Sequence, residues 1–127
     1  MGKAVLDASA LLALLQGEPG AAEVADLVPD AVMSAVNLAE VVGKLVGAGT
    51  PEADAQRATE GLGIRIVDFD REQAYEAAFM LPRTRAIGLS LGDRACLRLA
   101  RRLGLPAVTT DRAWTRARVG VVVRVAR

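Results

Sequence analysis

The sequence predicts an α/β domain whose central, mostly parallel sheet is covered by helices on both faces. Two observations carry that expectation. Short apolar runs alternate with helix-forming segments along the whole chain, as βαβ units require. And 127 residues, 52% of them hydrophobic, suffice for one core, with no linker, repeat or low-complexity stretch to divide it. A single domain over residues 1–127 is expected.

The elements follow in order. Lys3 to Leu6 is the first strand, and Asp7 stands where helix-like sequence begins. Ala8 to Gln16 combines helix formers with apolar spacing and stops at Gly17 and Pro19. A second helix covers Ala21 to Leu27 and ends at Pro29. Ala31 to Met33 is a strand, and Ser34 is placed to cap a helix from Ala35 to about Val46, closed by Gly47 and Gly49. Thr50-Pro51 has the form of a cap followed by proline at the first helical position, opening a helix to Glu60. Ile64 to Val67 is a strand, and Asp70 to Leu81 a helix closed by Pro82. Ser90 to Leu103 is the most regular helix, with Gly104 just past its end. Pro106 to Thr109 is a strand, Asp111 to Trp114 a turn, and Val119 to Val125 the last strand.

Composition narrows the chemistry. One cysteine, Cys96, excludes a disulfide framework and suits a reducing compartment. The absence of histidine removes Ser-His-Asp and Cys-His catalysis and the common His-bearing zinc sites. Catalysis must come from carboxylates, hydroxyls, arginines or a hard metal ion. The apolar run Ala8 to Leu15 is preceded by Asp7 and is too short to span a bilayer, so a soluble cytoplasmic protein with no membrane role is expected. The net charge of +1 conceals an asymmetry: residues 1–80 hold five basic and thirteen acidic residues, residues 81–127 eleven arginines and two aspartates. Such a basic half suits a polyanion or an acidic peptide, although arginine-rich composition alone could produce it.

Four carboxylates occupy unusual places. Asp7 and Asp111 each follow a strand, where ligands of open α/β sheets bind, but each is also an ordinary position for a helix cap or turn. Glu40 interrupts a nearly all-apolar helix, with Asn37 one turn before it on the same face. A carboxylate there is costly unless paired, and Lys44 offers a weak i,i+4 pair. Asp93 shares a helix face with Cys96, Leu97 and Ala100, yet Ser90-x-x-Asp93 also has the form of a capping box. Taken together, four converging carboxylates without histidine would hold a hard divalent cation through oxygen ligands. Such a cation activates water and neutralises phosphate charge.

These residues lie in segments that resemble a known family. VLDASALLALL, SAVNLAEVVGKL, GLSLGDRACLRLARRLGLPAVTTD and the AW after it are similar, in this order and over essentially the whole chain, to PIN-domain ribonucleases of the VapC toxin type. The resemblance implies a PIN-like three-layer α/β/α fold. It implies that Asp7, Glu40, Asp93 and Asp111 form an acidic quartet binding Mg²⁺ or Mn²⁺. Ser9, Thr109 and Thr110 would line the same pocket, and Asn37 would lie near it. The implied reaction is endonucleolytic hydrolysis of RNA, of the transfer or ribosomal class, leaving a 5′-phosphate and a 3′-hydroxyl. The implied partners are a VapB-type antitoxin and a second copy of the chain. Arg83, Arg85 and Arg94 are the candidates for RNA phosphate contacts, since the planar guanidinium binds phosphate bidentately. A solvated helix face is the competing account of the stripe Arg94, Arg98, Arg101 and Arg102. Trp114 reads as core, not as a base platform. Two other functions fit the same sequence: a housekeeping RNA-processing nuclease, and a PIN-like module that binds without cutting.

Overall fold

The structure is a computed structural model that describes residues 2–127. Five strands, β1 (Ala4–Leu6), β2 (Ala31–Ser34), β3 (Arg65–Val67), β4 (Ala107–Thr109) and β5 (Val123–Val125), form one sheet in the order β3-β2-β1-β4-β5. Every neighbouring pair is parallel. The central residue Val5 stands opposite Val32 on one side and Ala107 on the other. The helices are α1 (Ala8–Gln16), α2 (Ala21–Leu27), α3 (Ala35–Gly47), α4 (Glu52–Glu60), α5 (Arg71–Phe79), the short α6 (Leu81–Thr84) and α7 (Leu91–Leu103).

The sheet separates two cores, which is why its middle strands carry no polar alternation. Ala4, Leu6, Met33 and Val108 point to one face and pack with Leu11, Val24 and Val41 of α1, α2 and α3. Val5, Val32 and Ala107 point to the other and meet Cys96, Leu97 and Leu99 of α7. Removing one Val or Leu side chain from water contributes roughly 1.5–3 kcal/mol, so both cores drive folding. Trp114 is fully buried in the second core, as expected of it. The result is the three-layer α/β/α arrangement the sequence implies.

The differences from the sequence expectations lie at boundaries and have local causes. Thr50 does not cap α4: Pro51 takes the cap position with no side-chain bond, and Thr50 N–H instead donates to Leu45 O at 2.9 Å behind α3. Glu52 and Asp54 favour the α4 N-terminus through the helix dipole. Pro82 does not close one long helix. The chain leaves α5 after Phe79, and Pro82 sits in the first turn of α6, where a missing N–H costs nothing. The last strand begins at Val123, not Val119. Val119 is buried beneath α7, Gly120 turns the chain at φ +75°, and Val122 is exposed, so the apolar run is not all sheet. No helix among the described residues is long and apolar enough to cross a membrane.

Candidate metal centre

Because all strands run one way, β1, β2 and β4 end at the same edge, and the helices that follow them start there. Asp7 follows β1 directly and caps α1, its carboxylate accepting from Ala10 N–H at 2.8 Å. It also accepts from the hydroxyls of Ser9 at 2.7 Å and Thr109 at 2.6 Å. Thr109 ends β4, so this bond ties the two central strands together at the site. Ser9 Oγ in turn accepts from Thr110 N–H at 3.0 Å, and Thr109 Oγ1 from Asp111 N–H at 3.1 Å. Ser9, Thr109 and Thr110 thus brace Asp7 from both strand ends.

That bracing does not offset burial. Asp7 is 3% exposed, and its pKa is raised from 3.8 to about 6. Desolvation is the largest cause; the bonds from Thr109, Ala10 and Ser9 lower it, and the nearby negative charge of Asp93 raises it further. The lone cysteine is shifted in the same direction. Cys96 is fully buried, and its thiol is pushed well above the usual range by burial and then by the charges of Asp7, Asp93 and Glu40. Glu40 is seated over Gly92, directly before Asp93 at the start of α7, and Asp7 follows β1 as the cap of α1.

Asp93 does form a capping box. Ser90 N–H donates to Asp93 Oδ2 at 2.9 Å, and Asp93 N–H donates to Ser90 Oγ at 3.1 Å. This leaves Oδ1 without a bonding partner among the described residues. Capping and service at the site are thus compatible. Glu40, half-buried on α3, makes no ion pair with Lys44 among the described residues. Its Oε1 accepts from Asn37 Nδ2 at 2.9 Å, and the same amide donates to Gly92 O at 3.1 Å, linking α3 to α7. Asn37 Oδ1 is buried and has no partner among the described residues.

Gly92 is the residue that sequence reasoning missed. A Cβ built on it would lie 2.7 Å from Glu40 Cδ, so only glycine leaves room for the carboxylate. The available signal was a poor helix former in the first turn of the most regular helix, directly before Asp93. Gly92→Ala is expected to displace Glu40 and weaken Mn²⁺ binding about tenfold or more, as loss of a supporting contact around a metal does, with the fold retained. Calorimetric titration of the variant checks this; unchanged affinity would remove Gly92 from the site.

Asp111 stands apart from the other three. It is exposed, and its carboxylate accepts from Ala113 N–H at 2.9 Å, capping the 3₁₀ turn Arg112–Arg116. Its main chain, through Thr109, is its link to Asp7. Among the described residues no three acidic or sulfur side chains stand close enough to grip one ion directly. A hard cation fits the donor set nonetheless. The side chains offer only oxygens, the buried Asp7 has no cationic partner among the described residues, and Asn37 Oδ1 awaits a donor. Mg²⁺ keeps several waters and takes one or two carboxylates directly, so it suits a spread set.

The arginines divide by use. Arg94 turns inward, its guanidinium donating to Ala77 O at 3.0 Å. Arg98 pairs with Glu76, and Arg102 with Glu72 at 3.1 Å. Arg94 and Arg98 therefore bind α7 to α5, whereas Arg102 meets Glu72 on the exposed surface. Arg83, on α6, and Arg85, just after it, are exposed.

Among solved structures, the chain is similar to DNA-bound VapBC from Salmonella typhimurium, with 18% identity, TM-score 0.75 and 98% of each chain covered. It is similar to VapC20 of Mycobacterium tuberculosis, a sarcin–ricin-loop-cleaving toxin, with 19% identity, TM-score 0.73, and 94% of this chain and 99% of that one covered. VapBC-5 of the same organism matches with 18% identity and TM-score 0.62, covering 100% of this chain and 99% of the other. No curated protein matches by sequence. These likenesses show a shared fold. The sequence pattern of the PIN domain, by contrast, matches residues 4–120, which takes in all four carboxylates, and the chain belongs to the PIN domain family.

Proposed function

We propose that the protein is a Mg²⁺- or Mn²⁺-dependent endoribonuclease, the toxin of a VapBC-type toxin–antitoxin pair that acts in the cytoplasm. The observation that carries this reading is the held carboxylates, Asp7 braced by Ser9, Thr109 and Ala10 and Glu40 seated over Gly92 beside Asp93, none of them paired to an arginine or lysine among the described residues. Asp111 would complete the quartet. When bound, the cation would polarise the scissile phosphate and make water a stronger nucleophile.

The chain's own residues would do the rest. Asp7, fixed by Ser9, Thr109 and Ala10, would be one of the groups that hold the cation. Glu40, fixed by Asn37 and seated over Gly92, would hold it from the α3 side. Asp93 keeps Oδ1 free while Oδ2 is anchored, so it would take the proton of the attacking water at Oδ1. The chain has no histidine to abstract the 2′-hydroxyl proton, which accords with 5′-phosphate and 3′-hydroxyl ends. Arg83 and Arg85 would contact RNA phosphates, whereas Arg94, expected to do the same, is committed to Ala77 O within the fold. The RNA would belong to the transfer or ribosomal class. A VapB-type antitoxin would restrain the enzyme, which would act as a homodimer.

Purified protein is expected to cut total bacterial RNA at discrete positions with Mg²⁺ and not with EDTA, and end mapping should show 5′-phosphates. Cyclic phosphate ends would overturn the mechanism. Metal binding without any cleavage would favour the binding module, and discrete cuts without a restraining partner encoded alongside would favour a processing nuclease.

A further inference from the structure

We infer that a cleft on the α5–α7 side of the fold, further along α7 from Asp93, holds one nucleotide of the RNA strand, its phosphate between Arg83 and Arg101 and its base on Phe79. The inference rests on the ribonuclease reading and extends it to a specific substrate contact. The cleft has a volume of about 180 Å³ and a floor that includes Met80 and Val119. Three arginines line it, but their states differ. Arg98 is tied to Glu76, which neutralises that carboxylate. Arg83 and Arg101 are both exposed, and neither has a carboxylate in ion-pair distance among the described residues.

So the cleft keeps two uncommitted guanidinium groups, on α6 and α7, converging on one small space. A phosphodiester is the anion that planar, many-donor groups from two sides hold well. Phe79 borders the same space and is 72% exposed, in a chain where aromatic residues make up only 3%. A large exposed ring next to free arginines provides what single-strand binding uses: a charged track for the backbone and a face for a base. Arg101 lies eight residues after Asp93 on α7, roughly 12 Å along the helix. A strand whose scissile phosphate sits at the acidic end could therefore continue into the cleft.

The test is fluorescence anisotropy of a labelled 12-nucleotide single-stranded RNA in EDTA, as a function of salt, with cleavage in Mg²⁺ measured in parallel. Arg83→Gln and Arg101→Gln should each weaken binding and lower the slope of log affinity against log salt by about 0.7, the value for one lost single-strand phosphate contact. Phe79→Ala should weaken binding about tenfold with the slope unchanged, because stacking releases no counterions. Arg65→Gln, on β3 at the far edge of the sheet, should change neither. All of these side chains are exposed, so folding is not at stake.

Unchanged affinity and slope in both arginine variants, with wild-type cleavage intact, would overturn the cleft while leaving the nuclease reading standing. The expected losses in a protein that binds RNA but does not cut it would keep the cleft and sink the nuclease. Unchanged affinity in Phe79→Ala would overturn the nucleotide assignment. If inorganic phosphate alone displaces the RNA at concentrations comparable to the RNA's own dissociation constant, the cleft is a small-anion site and the proposal fails.

Discussion

Asp93→Asn is expected to lower RNA cleavage by roughly 10²–10⁴-fold, the usual worth of a positioned general base, while the protein stays folded. The variant keeps the geometry that Asp93 imposes. Asparagine still offers an oxygen to Ser90 N–H, and its own N–H still donates to Ser90 Oγ, as in the native capping box. What it loses is the ability to accept a proton, together with the negative charge. Loss of that charge near a helix N-terminus costs about 0.3–1 kcal/mol of stability. The competing view holds that Asp93 is only a cap, and Ser90→Ala decides between the two. Removing the serine hydroxyl should cost about 1 kcal/mol in chemical unfolding, yet leave cleavage within a few-fold of wild type, because the backbone N–H that anchors Asp93 Oδ2 remains. A cap-only Asp93 would reverse this pattern: its asparagine variant would cut RNA normally, and both variants would differ from wild type in stability alone.

Most of the helix starts, and the site edge they share, were legible because each is set by local chemistry. Ser34, Asp70 and Ser90 cap the helices after them through their own side chains, and short polar groups at such positions are readable. Asp7 and Thr109 were readable as strand-end residues because a parallel sheet sends every strand end to one edge. The parts that were not legible depend on partners distant in sequence. Nothing near Arg94 indicates that its guanidinium reaches back to Ala77, seventeen residues earlier, rather than outward to a phosphate. Nothing near Gly92 indicates that Glu40, on another helix, occupies the space beside it. Asp111 shows the opposite limit. Its place after a strand is as suggestive as that of Asp7, yet burial separates them: one is enclosed between two strand ends, the other is exposed on a turn. Spacing identifies the candidates, and the packing of unrelated segments decides what each one faces.

Burial of Asp7 leads to a second large effect, in the pH dependence of stability. Its pKa is about 6 in the fold against 3.8 as the ordinary value. Between those two pH values the native state holds a proton that the unfolded chain has released, so this group's contribution falls as pH rises. The contribution is fully present below pH 3.8 and lost above pH 6, a difference on the order of 2–3 kcal/mol. In EDTA, the stability of wild type relative to Asp7→Asn should therefore decline by about that amount from pH 4 to pH 7. The comparison with the variant cancels the titration of carboxylates common to both proteins. Divalent cation should reverse the trend at neutral pH, since it binds the ionised carboxylate in the folded state. At a hundred times its dissociation constant, the cation adds about 2.7 kcal/mol. Asp7→Asn should lose most of that gain, and cleavage with it. Urea unfolding of both proteins across this range, with and without Mg²⁺, measures each quantity. Parallel pH curves for the two proteins in EDTA would mean that Asp7 is not held at the energetic cost its burial implies. A Mg²⁺ gain that survives in the variant would place the cation elsewhere. If instead the penalty and its relief both vanish with this one carboxylate, the chain tolerates an unfavourable buried charge because the cation that offsets it is the one used on RNA.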